Sequence, residues 1–177
     1  LTLASASAIY SGEVVTVDYT DPSGSDDTNA TQDSAGNDAA TLAATTAVTN
    51  ISTVDKTGPT FASATTSADG LKVILTYNEA LHATTAAKTA FAVKVGGASA
   101  TVNSVAVSGS TVELTLATAV AQGQAVTVGY TAPTANAATT NTAVQDGAGN
   151  DAATLAATTA VTNISTVDKT APTVSTF

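Results

Sequence analysis

Acidic and amide side chains are the residues of this sequence whose types and spacing could do chemistry. The 177 residues include 14 Asp and Glu but only five Lys and Arg together, which gives a formal net charge of −9. Two short segments, DSAGND at 33–38 and DGAGND at 146–151, each place aspartates at both ends and an asparagine between them. Because hard cations such as Ca²⁺ take about 6–8 oxygen ligands of this kind, the sequence favours a calcium site.

The same two segments have a second interpretation. They lack the ligand spacing and the closing glutamate of an EF-hand loop. Asp, Gly and Asn are also the residues that tight turns use, because their side chains bond the local backbone or tolerate unusual backbone angles. Calcium coordination and plain turn chemistry therefore both remain open at this point.

Both segments belong to a longer duplication. Residues 32–59 and 145–172 differ only at positions 34/147 and 58/171, and the two DKT sequences begin 113 residues apart at Asp55 and Asp168. A fixed period of this kind indicates a tandem repeat array. We therefore predict that residues 1–54 are the C-terminal half of one repeat, 55–167 a complete repeat, and 168–177 the start of the next.

Short alternating stretches predict an all-β fold. Hydrophobic residues make up 44% of the chain but aromatic residues only 4%, and segments such as LKVILTY, TVELTL and AVTVGY alternate apolar with polar side chains, as half-buried strands do. About seven strands are predicted in the full repeat, near residues 60–66, 71–78, 90–96, 100–107, 111–117, 124–131 and 158–166, with a short helical turn within 79–90. Seven short strands in about 100 residues are typical of an immunoglobulin-like β-sandwich.

Residues 1–54 supply only three strands on this scheme, the first of them starting at Leu1. Three strands alone would leave an apolar face open and strand edges unpaired, which is a hazard for aggregation. Two explanations remain open: the sequence is an excerpt of a longer chain, or strands from a neighbouring molecule complete the sandwich by strand donation.

The motifs DKTAPT, LTYNEAL and DGAGND, with the strand sequences around them, resemble the repeat of giant cyanobacterial swimming-motility proteins and related bacterial surface proteins, a flagellar-system-associated repeat. The chain is also similar, more distantly, to the Ig-like domains of S-layer proteins and large adhesins. The resemblance covers essentially the whole chain. It implies an extracellular Ig-like module with a structural or adhesive role, often stabilised by calcium, and no enzymatic activity.

An Ig-like topology would gather acidic residues at one pole of the sandwich. Asp55 precedes the first strand, Glu79 follows the second, and segment 146–151 follows the sixth, so all of them would lie at the same end. Glu13 would come from a turn of the preceding repeat, and the other ligands belong to the equivalent junctions of the first and third repeats. The predicted ligands are, in chain order, Glu13, Asp33, Asp38, Asp55, Glu79, Asp146, Asn150, Asp151 and Asp168.

The composition argues against several other functions. With so few Lys and Arg, the chain lacks the cations that neutralise phosphates and bind anionic membrane surfaces. No apolar run approaches the roughly 20 residues of a membrane span. His82 is the single histidine, and no Walker loop, dinucleotide fingerprint or HExxH motif is present. We therefore predict no nucleic-acid partner, no membrane insertion and no enzymatic activity.

Two functions remain. The first is a structural repeat of a secreted, extracellular or bacterial cell-surface protein, such as an adhesin, surface layer or filament. Ca²⁺ at the junctions would stiffen this string of repeats, and the partners would be neighbouring repeats of the same chain or identical molecules. The second is an adhesive module that binds a cell-surface glycan or protein, for which the shortage of aromatic residues is unfavourable.

Overall fold

The computed structural model describes residues 8–26, 28–133 and 142–174 and builds their regular structure almost entirely from β-strands. One short 3₁₀ helix, Lys88–Ala90, lies in the region where a helical turn was predicted. The all-β prediction is therefore confirmed. The strand predicted to start at Leu1 lies outside the described residues. By its internal contacts the chain divides into two units, Leu1–Lys56 and Thr57–Phe177.

The first unit contains a two-stranded antiparallel sheet. Strand β1 (Val15–Tyr19) pairs with β2 (Leu42–Val48), so that Val15 lies opposite Val48. Along β1 the side chains alternate between half-buried and exposed, as expected of a strand with one apolar face. The long connection between the two strands carries the DSAGND segment.

The second unit is a sandwich of two four-stranded antiparallel sheets, ordered β3-β4-β8-β7 and β10-β9-β5-β6. This is the strand arrangement of an immunoglobulin-like fold. Its strands are β3 (Phe61–Thr66), β4 (Lys72–Tyr77), β5 (Phe91–Val95), β6 (Ala98–Ala100), β7 (Val102–Ser108), β8 (Thr111–Leu116), β9 (Val126–Tyr130) and β10 (Leu155–Val161).

The core is formed by alternate side chains of the central strands, as the sequence predicts. The fully buried members include Val73, Leu75, Val112, Leu114, Leu116, Val128 and Tyr130. The ring of Phe91 stacks on that of Tyr130 with centroids 5.1 Å apart. Leu71, which the alternation placed inside, is exposed because β4 begins only at Lys72.

Two of the predicted strands differ from the observed ones. The predicted strand 100–107 corresponds to β7, which begins at Val102, and the short strand β6 before it was not predicted. The last strand was predicted over 158–166 but ends at Val161. Beyond that residue the chain turns to β3 in the other sheet: Thr162 donates its N–H to the carbonyl of Ala64 at 2.9 Å and accepts one from Thr66 at 3.0 Å. These hydrogen bonds tie the two sheets together at their edge.

Candidate functional site

The duplicated segment folds into the same hydrogen-bonded loop in both units. In the second unit, Asp146 Oδ1 accepts from the backbone N–H groups of Ala148 and Asn150, both at 2.8 Å, and Oδ2 accepts from Asn150 Nδ2 at 2.8 Å. In the first unit, Asp33 makes the same three hydrogen bonds at the same spacing. The side-chain and then the backbone hydrogen bond from Asn37 lower the pKa of Asp33.

A second pair of side chains closes each loop. Gln145 Nε2 donates to Asp151 Oδ1 at 3.0 Å, and Gln32 donates to Asp38 Oδ1 at 2.7 Å. Between the members of the pair the backbone passes through positive φ, 89° at Gly149, a conformation that glycine adopts without steric cost. These aspartates therefore perform the turn chemistry that the sequence offered as one of its two interpretations.

The two copies differ in burial and in what lies against them. Asp146 is only 3% exposed, whereas Asp33 is exposed, because in the second unit the segment after β4 covers the loop. There the N–H of His82 donates to the carbonyl of Gln145 at 2.8 Å. The same segment brings Glu79 to the loop, where carboxylate oxygens of Glu79 and Asp146 lie within 4.8 Å of each other. Two carboxylates at this distance repel each other unless a cation accompanies them.

An unsatisfied oxygen lies in the same loop. Gln145 is 2% exposed, and its Oε1 has no hydrogen-bond partner, although the nitrogen of the same amide binds Asp151. A buried polar atom without a partner is costly, and a bound water or cation would satisfy it. Carboxylate and amide oxygens together form the hard donor set that Ca²⁺ prefers. Glu79 and Asp146 could therefore contribute to a metal-ion site.

The structure brings only some of the predicted ligands together. Glu79, Asp146, Asn150 and Asp151 belong to one end of the second unit. In the first unit Glu13 Oε2 accepts from the N–H of Tyr10 at 2.9 Å, and near the C-terminal end of the second unit Asp168 Oδ1 accepts from that of Thr170 at 2.7 Å. Asp33 and Asp38 stabilise the loop of the first unit. Asp55 is exposed and also belongs to the first unit, but it lies outside this loop. The role of Asp55 as a ligand stays a prediction.

Sequence reasoning missed a set of hydrogen bonds made by one asparagine in each copy of the duplicated segment, which we call the clamp. The amide nitrogen of Asn163 donates to the carbonyls of Ala121 and Gln124, each at 2.9 Å, and its oxygen accepts from the N–H of Ser165 at 3.0 Å. Asn50 makes the equivalent bonds in the first unit. The available signal was the sequence NIST, which is present in both copies of the duplicated segment.

Two buried tyrosines approach the loop end of the second unit. The hydroxyl of Tyr130 accepts from the N–H of Val144 at 2.9 Å, as that of Tyr19 accepts from Thr31 in the first unit. The hydroxyl of Tyr77 is buried and has no partner. Burial raises the pKa of both Tyr77 and Tyr130, because the phenolate is poorly solvated there.

Tyr130→Phe and Tyr77→Phe are expected to have opposite consequences for stability. Tyr130→Phe leaves the buried N–H of Val144 unsatisfied, which costs about 1–3 kcal/mol. Tyr77→Phe removes a buried hydroxyl that has no partner, so the free energy of unfolding should stay unchanged or rise. Urea unfolding of the two variants would measure the difference, and an equal loss in both would contradict the hydrogen-bond assignment.

Residues 54–135 match the family model of the putative flagellar system-associated repeat. The match spans somewhat less than half of the chain and includes strands β3 to β9. It confirms the resemblance to this repeat that the sequence motifs indicated.

Two solved structures are similar to the chain. One is the N-terminal part of the bacterial S-layer protein SbsC, with 21% identity, a TM-score of 0.43, and coverage of 58% of this chain and 22% of that one. The other is the S-layer protein rSbsC(31-844), with 22% identity, a TM-score of 0.44, and coverage of 59% and 13%. The chain thus spans less than a quarter of the length of either.

No curated protein matches the sequence. Among the residues that the structure describes, no helix is long and apolar enough to cross a membrane.

Proposed function

We propose that this chain is a structural repeat segment of an extracellular or cell-surface protein. The duplicated loop, and the duplicated residues 49–59 and 162–172 that follow the last strand of each unit and are here called the linker, would hold successive repeats at a constant geometry. One observation carries the proposal: the loop and the clamp make the same hydrogen bonds in both copies. The match of residues 54–135 to a repeat family supports it. Repeats of this kind make an extended string in which each unit contacts its neighbours.

The side chains of the duplicated segment are suited to fixing the path of its own backbone. The polar side chains that occur in both copies, such as those of Asp146 and Asn163, form hydrogen bonds with backbone groups of their own unit. Each such hydrogen bond contributes about 0.5–1.5 kcal/mol, and several in a short segment fix the path of the chain. A repeated module with this arrangement keeps the exit direction of the linker the same from one repeat to the next.

Calcium is the proposed stiffening element, with Glu79, Asp146 and Asp55 as ligands. The close carboxylates of Glu79 and Asp146 and the unsatisfied Oε1 of Gln145 support it. For Asp55 the support is its place in the chain. A Cβ at Gly58 would lie 2.2 Å from the carbonyl oxygen of Asp151, so the backbone at 58 touches the loop. Three residues span at most about 11 Å, which leaves Asp55 within reach.

Removal of calcium is expected to lower the thermal midpoint of the second unit. Binding to the folded state alone stabilises it by about 2.7 kcal/mol at 100 times the dissociation constant. Glu79→Gln should abolish this difference between calcium and chelator. Asp33→Asn is the matched control, because it alters the equivalent loop in the first unit and should leave the calcium-dependent difference intact. Differential scanning calorimetry of the three proteins would provide the measurement.

Glu79 is a sharper test than Asp146, whose carboxylate also holds three hydrogen bonds of its own loop. Any substitution of Asp146 would destabilise the loop with or without a metal. A midpoint that is the same in calcium and chelator, or a shift that survives in Glu79→Gln, would overturn the calcium proposal. The chain would then be a spacer repeat whose aspartates only shape turns.

A further inference from the structure

Only two positions differ between the copies of the duplicated segment, 34/147 and 58/171. Each is glycine in one copy: Gly147 corresponds to Ser34, and Gly58 corresponds to Ala171. Gly147 is exposed, and a Cβ added there would meet nothing within 4 Å. The structure therefore has room for a side chain at the first of the two positions.

At the second position, Gly58 leaves no such room. A Cβ there would lie 2.2 Å from the carbonyl oxygen of Asp151, 2.9 Å from its carbonyl carbon and 3.5 Å from that of Asn150. These neighbours are backbone atoms that cannot rotate away, so an added methyl group forces the backbone itself to shift. Gly58 does not have positive φ, so the close approach to the loop is what requires glycine here.

Residues 57–60, which we call the entry segment, are also attached to the turn after β4. The N–H of Thr60 donates to Asn78 Oδ1 at 2.7 Å, and the N–H of Asn78 donates to the carbonyl of Thr60 at 3.0 Å. Pro59, between the two contacts, is buried. The entry segment therefore lies against the loop at Gly58 and is hydrogen-bonded at Thr60 to the residue that precedes Glu79.

These two contacts position the carboxylates that are proposed to bind calcium. Asp151 closes the loop that carries Asp146, and oxygens of Glu79 and Asp146 lie within 4.8 Å of each other. Bonds from Ca²⁺ to oxygen are only about 2.3–2.6 Å long, so a small relative displacement of the two carboxylates weakens binding. Loss of a group that holds metal ligands in place typically lowers metal affinity by about 10–100-fold.

We propose that the residue at position 58 sets the calcium affinity of the repeat. Glycine lets the entry segment dock against the loop, whereas alanine, which the other copy carries at position 171, prevents this docking. The inference rests on the calcium site of the proposed function and adds a positioning residue to it. A string of repeats would then have more and less strongly stiffened junctions according to this one residue.

Gly58→Ala is expected to raise the Kd for Ca²⁺ at least about tenfold, measured by isothermal titration calorimetry of the folded chain well below its thermal midpoint. Gly147→Ser is the matched control. It also replaces a glycine of one copy by the residue of the other, directly beside Asp146, and should leave the Kd unchanged because the side chain has room. An unchanged Kd in Gly58→Ala, or an equal rise in both variants, would overturn the inference.

Asn78→Ala tests the same docking from its other end and keeps the test decisive if Gly58→Ala does not fold. It removes the acceptor of the Thr60 N–H and leaves Gly58 in place, and its Kd for Ca²⁺ should also rise. The two changes together should raise the Kd by less than the product of their separate effects, because both release one segment. A wild-type Kd in Asn78→Ala, or fully independent effects, would contradict docking as the cause.

Amide hydrogen exchange in chelator shows the docking without the ion. Gly58→Ala should speed exchange at the amides of Thr60 and Asn78 by at least about tenfold, since exchange reports local opening, while the amides of the central strand β8 stay protected. Faster exchange with an unchanged Kd would overturn the inference and leave the calcium proposal standing. A wild-type chain that does not bind Ca²⁺ would overturn both.

Discussion

Gly70→Ala is expected to destabilise the second unit by about 3–4 kcal/mol, which combines strain at positive φ with a backbone clash. Gly70 has φ of 68°, and a Cβ there would lie 2.2 Å from the carbonyl oxygen of Val120 and 2.9 Å from Ser165 Oγ. The turn cannot simply move away, because the carbonyl of Gly70 also accepts from the N–H of Val120 at 2.9 Å. Urea unfolding would measure the loss.

Gly109→Ala separates the two causes. Gly109 also has positive φ, 59°, but a Cβ there would meet nothing within 4 Å. Its substitution should therefore cost only the conformational strain of an L-residue at positive φ, about 1–2 kcal/mol. Equal losses in the two variants would show that the close approach of Gly70 to Val120 has no energetic weight.

The central strands could be predicted from the sequence because their pattern is local. In β4 and β8 every second residue is apolar, and a strand places alternate side chains on one face. Val73, Leu75, Val112 and Leu114 are accordingly all buried. The pattern also predicted that Leu71 is buried, and this was wrong. The β3–β4 turn occupies the residues before Lys72, and the pattern does not mark where a strand begins.

The burial of the loop aspartates could not be predicted in this way. Asp33 and Asp146 lie in nearly identical sequences and make the same three hydrogen bonds, yet one is exposed and the other buried. In the second unit Asp146 is covered by Glu79 and the rest of the segment after β4, which is distant from the loop in sequence. Local sequence determines the loop, while its chemical environment is set by non-local packing.

The end of the last strand shows the same limit. β-branched residues continue past Val161, and the prediction extended the strand to residue 166. The backbone instead leaves β9 and pairs with β3, where the hydroxyl of Thr66 replaces a carbonyl as acceptor for Ile164. A side chain acting in place of the backbone has no periodic signature.

Asn163→Ala is expected to destabilise the second unit by about 3–4 kcal/mol, because four hydrogen bonds of about 0.5–1.5 kcal/mol each are lost. The side-chain nitrogen of Asn163 donates to the carbonyls of Ala121 and Gln124, and its oxygen accepts from the N–H of Ser165 and from Thr66 Oγ1. The substitution leaves two carbonyls and two donors to find other partners. Urea unfolding and amide exchange would record the change.

Asn50→Ala is the matched control for this clamp. It removes the equivalent bonds to the carbonyls of Tyr10 and Glu13 in the first unit and should leave unfolding of the second unit unchanged. A cost of less than about 1 kcal/mol for Asn163→Ala would contradict the proposal that the clamp fixes the linker. A full loss would support the part of the proposed function in which each repeat fixes the start of its own linker.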